Sequence, residues 1–195
     1  MPVVNTAAVM SDRKNRVCPV EKAGSLDTRI RRWLQNPQKI LKPYIDKGMT
    51  VLDFGCGPGF FTIDMAEMVG KNGCVFAVDL QEGMLEKLKG KIQGTEIEDI
   101  IILHKSESGT IGLQEKINFA LAFYVLHELP SMDTFFQEVA SLLKPGGQVL
   151  IVEPPFHVNK SEFKSTLNKA KDAGLIPSPG PKLFLNKSVV LTKGK

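Results

Sequence analysis

No run of the sequence approaches the roughly 20 apolar residues that a membrane-spanning helix requires. Phe119 to Leu126 is among the longest, and it has eight. No membrane span is therefore expected. Cysteine is scarce: Cys18, Cys56 and Cys74 are odd in number, widely spaced and without a CxxC pair. That argues against a disulfide framework or a zinc knuckle, predicts no metal site, and fits a reducing cytoplasm. The start, MPVVNTAAVM, lacks the basic leader and long apolar stretch of a signal peptide, and its charges follow instead of leading. Tryptophan occurs once, at Trp33. What is present is ordinary for a soluble domain: 43% hydrophobic and 24% charged residues over 195 positions, enough for one core and too short for two typical domains.

Charge is unevenly spread. Residues 1–48 carry ten Lys/Arg against four acids, residues 156–195 eight against two, and residues 49–155 seven against fifteen. Basic ends could flank an acidic partner or nucleic acid. Aromatic residues do not interleave with them, so a solvated surface is the better reading and nucleic acid is disfavoured.

Apolar strands alternate with helical segments. Strands are predicted at Thr50–Phe54, Cys74–Asp79, Ile100–Leu103, Phe119–Tyr124 and Val149–Val152, and helices at Phe60–Val69, Gln81–Ile92, Ser131–Leu143 and Asn159–Ala173. Continuously apolar strands separated by helices predict an α/β fold, a doubly wound and mainly parallel sheet covered on both faces. Leu183–Leu185 and Val189–Leu191, joined by Asn186-Lys-Ser188, read as a hairpin, so the last strand should be antiparallel. Residues 1–20 read as a flexible leader and 21–48 as N-terminal lid helices, with Leu26–Leu34 helical and Asn36-Pro37 restarting a second helix. Residues 49–195 form the main domain.

The most informative stretch is Asp53-Phe-Gly-Cys-Gly-Pro-Gly59, at a strand's carboxyl end and opening a helix, where open α/β sheets bind ligands. Asp79 ends the second strand and can accept both hydroxyls of a ribose, although it also suits an N-cap for the helix that follows. A phosphate-binding P-loop would need Gly-Lys-Ser/Thr, and here Gly59 is followed by Phe60-Phe61; the dinucleotide fingerprint would need glycine at Phe60. The loop itself carries no cation and an acid precedes it. This suits a cationic adenosine derivative, S-adenosylmethionine (SAM), better than a pyrophosphate.

These motifs, with Leu143-Lys-Pro-Gly-Gly147 before the fifth strand and Val125-Leu-His127 after the fourth, resemble class I SAM-dependent methyltransferases. The nearest branch is that of the ubiquinone/menaquinone-biosynthesis and arsenite methyltransferases, and the likeness spans about residues 36–193. It implies a Rossmann-like seven-stranded sheet with the last strand antiparallel. It also implies that SAM is used and S-adenosylhomocysteine (SAH) released. By the same resemblance Asp53 helps hold the methionine amine, Gly55, Cys56 and Gly57 line the cofactor with backbone groups, Asp79 takes the ribose, and Leu80 and Met84 pack on adenine. Where the family often has Gly-Asp-Ala after strand three, this chain has Lys105-Ser106-Glu107, leaving Ser106 or Glu107 for the adenine edge. Asn118 stands where strand four often starts with aspartate, a structural position. Phe123 and Tyr124 would lie under the methionine portion, one of the two serving as core.

Methyl transfer asks chiefly for alignment, and a base only when the nucleophile is a weak acid. Tyr124, His127 and Glu153 are the catalytic candidates, with His127 also readable as a loop support and Glu153 as a base or substrate anchor. Glu128 and His157 are further polar residues nearby, His157 fitting an exposed surface position. Cys18 could meet a soft substrate, although a structural or incidental thiol is the better reading; Arg31 and Arg32 could meet an anionic one, while Trp33 packs the lid, and Gln35 and Asn36 are lid residues within reach of the ligand. The expected protein is a cytoplasmic methyltransferase with a small-molecule acceptor, and a homodimer is left open. The alternatives are an RNA or protein methyltransferase using the basic termini, or a non-catalytic SAM-binding partner subunit.

Overall fold

The structure, a computed structural model, describes residues 35–183 and 185–195. The leader, the helix expected at Leu26–Leu34, and Cys18, Arg31, Arg32 and Trp33 lie outside the described residues. A short helix α1 (Pro37–Leu41) comes first. Asn36 caps it by accepting the Lys39 N–H, and Pro37 occupies its first turn, where a missing donor costs nothing.

The alternation continues as β1 (Thr50–Phe54), α2 (Thr62–Val69), β2 (Cys74–Asp79), α3 (Glu82–Ile92) and β3 (Ile101–Lys105). It then runs through β4 (Ile117–Phe123), α4 (Met132–Leu142), β5 (Leu143–Glu153), α5 (Lys160–Asp172), β6 (Leu175–Pro179) and β7 (Lys187–Lys193). All seven strands form one sheet in the order β3-β2-β1-β4-β5-β7-β6. Strands β1 to β5 pair in parallel, whereas β7 runs antiparallel to both β5 and β6.

Each central strand sends alternate residues to opposite faces. Val51, Val75, Ala77, Phe119 and Leu121 join Met65, Val69, Leu85 and Leu88 of α2 and α3 on one side. Leu52, Phe76, Val78, Ala120 and Ile151 join Phe135, Phe136 and Val139 of α4 on the other. Both faces are covered, which is why these strands read as continuous apolar runs. Chain order reverses between β1 and β4, so their carboxyl ends diverge into a crevice.

Two local readings are corrected. The hairpin's first strand is Leu175–Pro179, and Leu183 and Leu185 lie outside any strand. Pro177 and Pro179 hide this strand from a propensity reading, but β6 is the edge of the sheet, where proline is tolerated. Leu143-Lys-Pro-Gly-Gly147 is not a loop preceding the fifth strand. Ile117 pairs with Leu143 and Phe119 with Gln148, so the intervening residues bulge from within β5. Asn118 supports this corner, its carbonyl oxygen accepting from the Thr50 N–H and from Lys144 Nζ, both at 3.0 Å.

Candidate active site

The glycine loop leaves the tip of β1 and is pinned to β2. The N–H groups of Gly55 and Cys56 donate to the Val78 carbonyl at 2.8 and 3.0 Å. Gly55 has φ +73°, and a Cβ there would lie 2.6 Å from Val125 Cγ2; Gly59 has φ +88°, and its Cβ would lie 2.4 Å from Leu88 Cδ1. Both positions therefore require glycine for conformation and for space. The loop packs under the segment that follows β4 on one side and on α3 on the other. Lys91 of α3 also reaches it, donating to the Pro58 carbonyl at 2.8 Å.

Asp79 stands at the tip of β2, its side chain directed at this loop. One carboxylate oxygen accepts the Gly57 N–H at 2.8 Å and the other the Gln81 N–H at 2.9 Å. It is thus tied to the loop and to the residue that precedes α3; the N-cap itself is Gln81, two residues later than the sequence suggested. Burial pushes its pKa up from 3.8, against the opposing pull of the Gln81, Gly57 and Leu80 N–H groups. Asp53, at the end of β1, is buried and accepts the Thr62 hydroxyl at 2.6 Å. Cys56 is also buried, and that burial, with Asp53 and Asp79 nearby, raises its thiol well above 9.0. Such a thiol stays protonated, consistent with a residue that offers only its backbone.

The other expected cofactor residues divide by exposure. Leu80 is 41% exposed beside Asp79, whereas Met84 is 2% exposed. Of the two, Leu80 alone presents apolar surface, because Met84 points inward on the face of α3 that also buries Leu85 and Leu88. Ser106 is buried at the tip of β3, its N–H bonded to the Asp79 carbonyl at 3.0 Å, while Glu107 is exposed. The serine, not the glutamate, is held beside Asp79.

Across the crevice, Phe123 ends β4 and packs against Phe61 and Tyr124 at ring-centroid distances of 4.5 Å each. Tyr124 has φ +62°, rare for a bulky residue and costly by about 1–3 kcal/mol. Neighbouring contacts hold it there. Its N–H donates to the Val152 carbonyl at 2.8 Å. Its hydroxyl accepts from Gln35 Nε2 and donates to Asn186 Oδ1, both at 2.7 Å. Asn186 had been read only as a hairpin turn; nothing local in the sequence ties it to a strand tip 62 residues earlier.

A 3₁₀ turn, Leu126–Glu128, follows. His127 Nδ1 lies 2.6 Å from Glu153 Oε2, and Glu153 Oε1 accepts the Leu126 N–H at 3.0 Å. Glu153 is 1% exposed with both oxygens engaged, so its carboxylate is not open to a substrate. Burial lowers the His127 pKa, but the Glu153 hydrogen bond, its charge and that of Glu128 outweigh this and hold it above 6.5. His157 is exposed, its ring 5.3 Å from that of His127. Among the described residues no group of His, Cys, Asp and Glu is placed to hold a metal, and no helix is long and apolar enough to cross a membrane.

Comparison with known proteins agrees with this geometry. The methyltransferase domain family matches residues 45–178. A demethylmenaquinone methyltransferase of Lactococcus lactis is 31% identical over 120 residues, 60% of this chain and 48% of the relative. One from Oceanobacillus iheyensis is 26% identical over 64% of this chain and 52% of its own length. The chain spans about half the length of these curated relatives. The crystal structure of a SAM-dependent methyltransferase from Aquifex aeolicus superposes with a TM-score of 0.79 at 28% identity, covering 90% of this chain and 98% of that one. Since the family match takes in well over half of the sequence, this chain belongs to the methyltransferase domain family, in its class I, SAM-dependent form.

Proposed function

We propose that this protein is a cytoplasmic enzyme that binds SAM across the tips of β1 and β2 and passes its methyl group to a small-molecule acceptor by in-line displacement. The observation that carries this reading is the Asp79 carboxylate set against the glycine loop, with Gly57 N–H at 2.8 Å. A carboxylate offers about four lone-pair sites, more than its backbone donors use, so it keeps acceptor capacity for a ribose hydroxyl without dismantling the loop. The site's two buried acids, Asp53 and Asp79, suit a ligand bearing ammonium and sulfonium charges and no phosphate.

In this reading Leu80 offers a surface for adenine and Ser106 its edge. Asp53 supplies negative charge beneath the methionine amine, and Phe123 and Tyr124 present aromatic faces to positive charge. SAM supplies an electrophilic methyl on a good leaving group. The chain's own contribution is to hold nucleophile and methyl in line, an effect that amounts to roughly 7–11 kcal/mol where alignment is good. The demethylmenaquinone methyltransferase relatives support an acceptor of small-molecule size.

Calorimetric titration with SAH tests the placement. Charged hydrogen bonds contribute about 1.5–3 kcal/mol, so Asp79→Ala should weaken SAH about tenfold to a hundredfold. His157→Ala, outside the proposed cofactor contacts, should leave it nearly unchanged. Equal and negligible effects would remove the ribose from Asp79.

A further inference from the structure

Two large apolar side chains stand in water at the carboxyl end of β5, where packing within the chain does not explain them. Phe156, in the segment that follows β5, is 90% exposed, and Leu185, just before β7, is 61% exposed. Leu185 also has φ +58°, a left-handed conformation that a leucine adopts only at a cost. The sheet brings the two segments together. Glu153 at the end of β5 pairs with Lys187 at the start of β7, and Lys187 Nζ donates to the Val158 carbonyl at 2.6 Å. Phe156 is two residues from one partner of that bond, and Leu185 two residues from the other. Between residues 154 and 187 the chain has six lysines and two acids. Lys160 and Lys164 in the first turns of α5, and Lys182 before Leu185, are exposed and in no ion pair among the described residues. Of the acids, Glu162 is engaged by the Asn159 N–H, and Asp172 lies at the far end of α5.

We infer that this face docks on an anionic lipid bilayer, with Phe156 and Leu185 inserted at the headgroup boundary and Lys160, Lys164 and Lys182 over the negative headgroups. Charge and shape both favour lipid over protein. Two projecting tips on separate segments offer little of the continuous, closely packed area that a stable protein interface buries. Fluid lipid closes around each tip separately. Ammonium groups on flexible stems suit a diffuse layer of phosphates, which imposes no fixed geometry on them. Moving an aromatic and an aliphatic side chain from water to the lipid boundary is favourable, and it offsets the strain at Leu185. The surface belongs to the end of the sheet that carries the glycine loop: His157, next to Phe156, has its ring 5.3 Å from that of His127 on the turn after β4. Docking turns that end toward the bilayer. The inference does not depend on which cofactor or acceptor the crevice takes.

Sedimentation of the full chain with vesicles tests the inference. At low salt the wild type should bind vesicles of phosphatidylcholine and phosphatidylglycerol in equal parts, and bind pure phosphatidylcholine vesicles about tenfold more weakly. Salt at about 0.5 M should release much of the bound protein, because it screens the attraction. Phe156→Ser combined with Leu185→Asn should weaken binding about tenfold or more. Asparagine tolerates a positive φ, so this double variant should melt no lower than wild type and keep the same thermal shift with SAH. Lys160→Glu combined with Lys182→Glu should weaken binding comparably. Absence of wild-type binding to the anionic vesicles, equal binding to both kinds of vesicle, or undiminished binding by the apolar double variant overturns the inference. So does light scattering that finds the wild type a dimer and the apolar double variant a monomer, which would make this face an interface between copies of the chain.

Discussion

Two side chains in the crevice have their proton affinity raised by their surroundings: Asp79 by burial, and His127 by the hydrogen bond and charge of a buried glutamate, against the opposing effect of its own burial. Both native pKa values are raised, from 3.8 and 6.5, so both groups bind protons more tightly in the folded protein. The stability each contributes is fully present below its unfolded value and is lost as pH rises through the native one. The Asp79 part is lost first, at lower pH. The His127 part is lost on passing upward from 6.5 through its native pKa. Chemical denaturation should therefore find the wild type more stable at about pH 6 than at about pH 8. In Glu153→Gln that difference should shrink, because the neutral amide no longer favours the imidazolium. At this scale the sequence revealed Asp53, Asp79 and the glycines, because their spacing around one strand tip is local. It concealed the partners of Tyr124 and the burial of Glu153, which depend on strands brought together from distant parts of the chain.

Helix termini carry much of the architecture's definition. Asn159 and Glu162 form a reciprocal capping box at the start of α5, the N–H groups of Glu162 and Asn159 bonded to each other's side chains at 2.9 and 2.7 Å. Asn159→Ala should cost about 1 kcal/mol, and a domain of this size should then melt about 2–4 °C lower. Circular dichroism melts check the value, and no change in SAH affinity is expected. Such caps are why the helix starts at Asn36 and Ser131 could be read in advance: Ser131 accepts the Thr134 N–H just as Asn36 accepts that of Lys39. The boundaries of β5 and β6 were not legible in the same way. In β5 the glycines that usually end an element lie inside a bulge. In β6 the prolines are allowed by the strand's position at the edge, a property of the sheet and not of the segment.

Ligand binding and folding are linked in the molecule as a whole, because the crevice exists only once β1, β2 and β4 are assembled. SAH at 100 times its dissociation constant should stabilise the native state by about 2.7 kcal/mol, a rise of about 5–11 °C in melting temperature. NAD and ATP should give much smaller shifts at equal concentration, and the opposite ranking would exclude the proposed cofactor. The sheet that builds this crevice also has a boundary with a property of its own. Pro177 and Pro179 lie two residues apart in β6, and the ladder to β7 is continuous from Leu175 to Pro179. Their missing N–H groups therefore fall on the flank turned away from β7. A strand from another molecule arriving there meets carbonyls without the donors needed to complete a ladder, which protects this flank against aggregation by strand addition.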